Sequence, residues 1–104
     1  MAQFDVYTNP SESSAYGIPY VVVMQSDLLD ALATRLTMPL ATIEFADKAP
    51  DKLCPIVKVN GQHLRALAHY TAPLPTRSLG RIIGNAAAHA SELIAAMDVV
   101  VSGV

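Results

Sequence analysis

Residues 55–70 of the chain run PIVKVNGQHLRALAHY. Two runs of alternating apolar and polar residues, 55–59 and 62–70, are separated here by Asn60 and Gly61. Alternation is the period of a half-buried β-strand, and Asn-Gly is the pair that a two-residue type I′ turn favours, because both central residues need a positive φ angle. The segment therefore predicts a β-hairpin whose second strand extends to the end of the segment.

Further strand signals lie on both sides of this hairpin. Residues 3–8 alternate again, whereas residues 19–25 are β-branched and aromatic without alternation, which suits a strand buried on both faces. Residues 34–40 and 41–45 also have strand-like composition, and residues 79–83 form a candidate short strand. We therefore expect most of the chain to be a series of short strands.

The segments between these strands carry turn-forming residues. Residues 9–17 contain Pro, Ser and Gly and are predicted to form an exposed, mobile loop, and residues 46–52 form a polar loop broken by Pro50. Ser26 or Asp27 can cap one helical turn, because the next strand signal leaves no room for a longer helix. These loops are where we expect the surface of the protein to be most polar.

The last part of the chain predicts a long helix. Residues 86–101 are mostly strong helix formers, and Asn85 precedes them as a capping residue. Apolar residues at helical spacing form one stripe: Ala90, Leu93, Ile94, Met97 and Val101. A run of strands followed by one helix predicts a mainly β fold, a single domain over residues 1–104, in which an antiparallel β barrel or sheet is closed by a long C-terminal helix.

The composition indicates that the domain associates with a copy of itself. Hydrophobic residues make up 52% of the chain and charged residues 15%, which is apolar for 104 residues that must expose much of their surface. Four valines stand in the last six residues, at an end where a helix normally frays into water. A homodimer that covers this apolar surface is the predicted assembly.

The charge and the apolar runs exclude several classes of protein. A net charge of −2 lacks the basic surface that binding to a phosphate backbone requires, so no direct contact with nucleic acid is expected. The longest apolar run, residues 18–24, is too short to span a membrane, and the N-terminus lacks the features of a signal peptide. The single cysteine fits a reducing compartment. We therefore expect a cytoplasmic protein.

No motif for catalysis or metal binding is apparent. Cys54, His63, His69 and His89 lack the close spacing of a zinc site, so no metal or cofactor is predicted. Ser26 and Asp27 lie in no recognisable nucleophile motif. The sequence therefore favours a protein that acts by contact and is not an enzyme.

Several stretches of the chain, taken in order, resemble one family. They are QFDVYTNP at residues 3–10, YVVVMQSDLLD at 20–30, TRLTMPL at 34–40, LCPIVKVNGQ at 53–62, and a final helix that ends just before Gly-Val. This ordered set resembles the CcdB family of bacterial toxins over nearly the whole chain.

The resemblance implies a fold, an activity and two partners. CcdB-like proteins are homodimers of an SH3-like antiparallel barrel with a C-terminal helix, and they poison DNA gyrase by binding its A subunit and trapping the enzyme on cleaved DNA. They are not enzymes, and a cognate CcdA antitoxin neutralises them through a segment that is disordered when free. We expect an antitoxin segment to dock at residues 9–17 and 46–52, the two polar loops.

The resemblance also assigns roles to the end of the helix. The gyrase-binding residues it implies are Ser102, Gly103 and Val104, and from their positions on the predicted helix we add Val101 and Asp98, which lies one turn before Ser102. The dimer interface it implies consists of Ile94, Met97, Val100 and Val101. The best-known family member ends in Trp-Gly-Ile, so this chain departs from it at Ser102, where an aromatic side chain typical of binding hot spots is replaced by a small one.

Two other functions remain open. A MazF-type sequence-specific endoribonuclease shares the fold, but it needs a positively charged RNA groove and an acid–base pair, which the net charge of −2 disfavours. The other is an interaction domain without toxicity. Assays of RNA cleavage and of gyrase-dependent supercoiling distinguish the three functions.

Overall fold

The computed structural model describes residues 2–103 as one antiparallel sheet and one α-helix. The strands are β1 Asp5–Thr8, β2 Tyr20–Val23, β3 Thr34–Thr42, β4 Ile56–Val59, β5 Gln62–Ala66, β6 Ala72–Pro75 and β7 Ile82–Asn85, and the helix is α1 Ala90–Ser102. The strands follow the order β4-β5-β3-β2-β1-β7, and β6 pairs with β3. The predicted mainly β fold with one C-terminal helix is confirmed.

The long central strand β3 organises the sheet. One of its edges pairs with β2, in a register that places Val22 opposite Met38. Its other edge pairs first with β6, over residues 34–37, and then with β5, over residues 40–42. Because β3 has nine residues, it is long enough to hold both of these partners on one edge.

Pro39 occupies the point at which the partner of β3 changes. Neither β6 nor β5 pairs with residue 39, and the Pro39 carbonyl accepts a hydrogen bond of 2.8 Å from the Leu67 N–H. The N and the carbonyl of a strand residue face the same neighbour in an antiparallel ladder. The missing N–H of Pro39 therefore lies where no ladder partner is present, and proline is tolerated in an internal strand.

The predicted hairpin is confirmed at its turn. Asn60 and Gly61 have φ angles of 50° and 82°, the positive values that a type I′ turn requires. The second strand is shorter than predicted, because β5 ends at Ala66 and residues 68–70 form a 3-10 turn. The Thr71 hydroxyl donates to the Ala68 carbonyl at 2.8 Å and holds this turn, so the alternation beyond Ala66 does not belong to a strand.

The two ends of the sheet curl towards each other. Near the edge strand β4, the Lys58 N–H donates to Nε2 of His89 at 3.1 Å, and the Asn60 side-chain amide donates to the Ile83 carbonyl of β7. These contacts bridge the gap between the edge strands β4 and β7, which makes a half-barrel. Side chains on the concave face are thereby enclosed.

The hydrophobic core lies inside this curl, under the helix. Its largest fully buried side chains include Val6, Val22, Met38, Leu40, Val57, Leu64 and Leu93. Leu93 and Ala96 are the helix residues with no exposed surface, and they pack into the open side of the half-barrel. Burial of a leucine side chain contributes about 2 kcal/mol, so this docking is the main force that holds the helix.

The other predicted strands differ from the observed ones in position or in extent. The two predicted strands at 34–40 and 41–45 are one strand, β3, which ends at Thr42, where the chain enters a turn. Pro73 and Pro75 concealed β6, because proline is tolerated in a strand that pairs along just one of its edges. The predicted strand at 79–83 lies later, as β7.

Residues 9–17 are more ordered than predicted, because they contain a 3-10 helix, Glu12–Tyr16. The side chain of Ser11 caps this helix, and Gly17 ends it with a φ angle of 106°. Asn9 is 7% exposed, and its amide donates to the Ile18 carbonyl at 2.8 Å, which closes the loop. The predicted turn capped by Ser26 is confirmed at Asp27–Leu29.

The helix begins later than predicted. Asn85 is not the N-cap of the α-helix: its Oδ1 accepts from the Ala87 N–H at 2.7 Å, but the next element is a 3-10 turn, Ala87–His89, with Ala86 at its N-cap position. The α-helix starts at Ala90 and ends at Ser102. In residues 2–103 no helix combines the length and the apolar character needed to cross a bilayer.

We predict that Gly61→Ala lowers the free energy of unfolding by about 1 kcal/mol, because a side chain disfavours the positive φ angle at that position. Gly80→Ala is the matched control. A Cβ meets no atom within 4 Å at either position, but only Gly61 has a positive φ. Urea denaturation of both variants checks the prediction, and equal stabilities would contradict it.

Candidate functional site

Helix α1 presents one apolar side to the core and another to solvent. Ile94 and Val101 are 48% and 82% exposed. Residues seven apart lie on the same face of a helix, so these two side chains form one apolar strip. We call Ile94 and Val101 the free face of α1.

The stripe predicted from sequence is therefore divided between two directions. Leu93 is buried, and Ala90 and Met97 pack against the core beside it. Ile94 and Val101 lie on the side of the helix next to this buried face, and their side chains are exposed to solvent. A single stripe was the wrong interpretation, because the concave sheet accepts a narrower face of the helix than the run of apolar residues provides.

The four residues predicted for the dimer interface are thus in different environments. Ile94 and Val101 lie on the free face, and Val100 is 43% exposed near the end of the helix. Met97 is half-buried, with its sulfur 3.3 Å from the Thr71 hydroxyl. Three of the four are accessible to a second copy, while Met97 is largely committed to the core.

The end of the helix forms an exposed tip, Ser102 and Gly103. Gly103 has a φ of 75°, and its N–H donates to the Val99 carbonyl at 2.9 Å, which closes the helix with a left-handed cap. The Ser102 hydroxyl donates to the backbone carbonyl of Asp98 at 2.7 Å. The hydroxyl is therefore oriented by the Asp98 carbonyl and not by its carboxylate. Val104, also a predicted gyrase-binding residue, lies outside the described residues.

A groove lies on the other side of α1, between the helix and the segment before β4. We call it the α1 groove, and its volume is about 430 Å³. Its lining residues are Asp51, Lys52, Pro55, Glu92, Ala95, Asp98 and Val99. Asp98 borders both this groove and the tip, one helical turn before Ser102.

Buried Arg65 fixes the loop that forms one wall of the α1 groove. Arg65 is 8% exposed, and its guanidinium donates to Asp51 Oδ1 at 2.6 Å and to the Cys54 carbonyl at 2.8 Å. The sequence indicated only a polar loop here. The signal that was available is an arginine among the apolar residues of β5, which needs a partner when buried.

A second groove of about 300 Å³ lies beside residues 9–18, on the opposite face of the sheet from the core. We call it the β2–β3 groove. Its lining residues are Asn9, Ser11, Ser13, Ile18, Val21, Thr37, Pro39, Tyr70, Ala72 and Leu74. Tyr70 is 58% exposed, and its ring lies 4.3 Å from that of His69.

The family model of the CcdB protein matches residues 3–103. The chain belongs to the CcdB family. The match extends from β1 through the tip, so it includes α1, both grooves and the free face. The resemblance predicted from the ordered sequence stretches is confirmed.

The described part of this CcdB family chain has no group of three His, Cys, Asp or Glu residues placed to hold a metal. Cys54 is fully buried, with its sulfur 3.8 Å from Nδ1 of His69. Burial raises the pKa of the Cys54 thiol, although nearby Arg65 acts in the opposite direction. A protonated, buried thiol is a poor nucleophile.

We predict that ionisation of Cys54 destabilises the fold at alkaline pH. The thiol ionises near pH 8.5 in the unfolded chain but at a higher pH in the folded one, so its effect is absent at neutral pH and grows as the pH rises past about 8.5. At about pH 9.5 the loss is at most about 1.4 kcal/mol.

Urea denaturation at about pH 7.5 and 9.5 checks this prediction, with Cys54→Ala as the control. The variant loses the titrating group, so its free energy of unfolding should change less between the two pH values. Tyr7, whose pKa is raised mainly by burial, contributes only above about pH 10. An equal loss in both proteins would contradict the prediction.

Proposed function

We propose that the protein is the toxin of a type II toxin–antitoxin system. It binds the A subunit of DNA gyrase, traps the gyrase–DNA cleavage complex and so stops replication, and a CcdA-like antitoxin neutralises it. Membership of the CcdB family, with a match that reaches residue 103, is the observation that carries this proposal. The proposed site of action is the cytoplasm, where gyrase works.

The assembly that we propose is a homodimer through the free face of α1. Ile94 and Val101 form an exposed apolar strip, and such strips favour association. A two-fold axis near this strip would repeat each contact symmetrically and bring the two tips close together. Two adjacent tips then form one symmetric patch, which suits a target that is itself a dimer.

The proposed gyrase contact consists of the tip with Asp98, Val101 and Val104. Ser102 has no aromatic body to insert into a pocket, and its hydroxyl already donates to the Asp98 carbonyl. Val101, 82% exposed, offers the largest accessible apolar surface at this end among the described helix residues. We therefore propose that Val101, at the C-terminal end of the free face, adds an apolar contact beside the tip, and that Gly103 allows an approach of bare backbone to the target.

The proposed antitoxin site includes the loop at residues 9–17. The β2–β3 groove opens beside this loop, with Tyr70 exposed on its rim. The other predicted loop, residues 46–52, contributes Asp51 and Lys52 to the α1 groove instead. The two loops therefore border different grooves, and a disordered antitoxin segment would need to extend over both sides of the domain to contact them.

The endoribonuclease alternative is not favoured. Two of the seven basic residues, Arg35 and Arg65, are buried and paired with Asp30 and Asp51. An RNA groove requires basic side chains that face solvent along a track. The other basic residues are outnumbered by the nine acidic residues, so they do not supply such a track.

We predict that deletion of residues 102–104 abolishes growth inhibition and gyrase poisoning, because it removes the tip, whose two residues are both exposed. Growth on induced expression and a supercoiling assay with purified gyrase provide the measurements. Circular dichroism and sedimentation establish that the truncated protein keeps its fold and assembly. If the truncated protein is as toxic as the full-length protein, the tip is not the gyrase contact. RNA cleavage without gyrase inhibition would favour the endoribonuclease function.

We also predict that Ile94→Asp and Val101→Asp each dissociate the dimer. A buried, unpaired carboxylate in an apolar interface costs several kcal/mol. Leu32→Asp is the matched control, because Leu32 is 52% exposed and lies away from α1. Sedimentation over a range of concentrations distinguishes monomer from dimer, and a dimer retained in both helix variants would place the interface elsewhere.

A further inference from the structure

We propose that the α1 groove binds a positively charged peptide segment of a partner protein, anchored by an apolar side chain. The groove combines an apolar floor with an acidic rim, and its volume of about 430 Å³ suits one or two large side chains. This site is separate from the tip, although Asp98 of the groove also belongs to the proposed gyrase contact.

The floor of the groove is apolar and lies on rigid elements. Ala95 and Val99 are four residues apart on α1 and so are neighbours on one side of the helix. Pro55 faces them from the segment that leads into β4. An aliphatic or aromatic side chain can therefore be enclosed between the helix and this segment.

The rim of the groove carries more negative than positive charge. Asp51, Glu92 and Asp98 supply three carboxylates, against the Lys52 ammonium group and the Arg65 guanidinium that pairs with Asp51, which leaves Glu92 and Asp98 as the carboxylates that face a ligand. The Asp98 carboxylate has no hydrogen-bond partner among residues 2–103 and so is available to a ligand. Glu92 bonds through Oε2 to His89, which leaves Oε1 for another donor. This charge favours arginine or lysine side chains.

The second copy of this chain is a poor occupant of the groove. Two grooves placed face to face would bring together carboxylates of the same sign, which repel. The free face, with Ile94 and Val101, lies on a different side of α1 from Ala95 and Val99, so a dimer formed there leaves the groove open. The acidic rim also disfavours nucleic acid.

A ligand in the α1 groove would also affect the proposed gyrase contact, an inference that rests on the proposed function. A segment bound between α1 and the loop covers Asp98, which the proposed gyrase contact also uses. The segment and gyrase would then exclude each other at that residue. A basic segment of the antitoxin that reaches this groove would thus block the toxin at its site of action.

The test uses two synthetic helical peptides of about three turns. The first carries two arginines and two leucines on one face, and the second has glutamates in place of the arginines. We expect the arginine peptide, titrated into the isotopically labelled full-length protein, to shift the amide signals of Lys52, Ala95, Asp98 and Val99. The glutamate peptide should bind at least about tenfold more weakly. Gyrase is absent, so failure of the proposed function leaves this result unaffected.

Paired variants localise the effect. Glu92→Gln with Asp98→Asn should weaken binding of the arginine peptide by about tenfold or more, because both rim charges are removed. Glu12→Gln with Glu44→Gln makes the same change in net charge at exposed positions outside the groove and should leave affinity nearly unchanged. Equal losses in the two pairs, or shifts scattered over the surface, would overturn the proposal.

Discussion

The fold depends on the pairing of one long strand with three others. β3 holds β2 on one edge and divides its other edge between β6 and β5, with Pro39 at the division. β5 and β6 both run antiparallel to β3 along this edge and are separated by the 3-10 turn at residues 68–70, while the two ends of the sheet curl towards each other. The curl creates the concave face on which Leu93 and Ala96 are buried. The position of α1, and of every surface on it, therefore depends on the length of β3.

The helix serves both the core and the surface because its apolar residues exceed what the core can cover. The concave sheet accepts only a narrow face, and the rest of the apolar surface remains exposed. Three surfaces result around one rigid helix: the free face, the α1 groove and the tip. Under the proposed function, these surfaces would serve a second copy, a regulator and a target, with Val101 and Asp98 each shared between neighbouring surfaces.

Much of this arrangement could be predicted from the sequence, and the failures have physical causes. Local signals located the hairpin turn at Asn60-Gly61, the buried strand β2 and the C-terminal helix. The proline-rich strand β6 was missed, because its stability comes from pairing with β3 and not from its own composition. The α1 groove was missed as well, since it depends on the Arg65–Asp51 contact, which joins residues 14 apart in sequence.

The left-handed cap at Gly103 separates the proposed recognition tip from the part of α1 that packs into the core. The helix is already closed by its own backbone at this residue, and the exposed tip adds nothing to the core. Gly103 is constrained by its positive φ angle, but substitution of the exposed Ser102 costs little stability, so this position can change while the scaffold stays the same. Serine in place of the tryptophan of the best-known family member is the kind of exchange this permits. Under the proposed function, a change of target could therefore be met by a change at residue 102 alone.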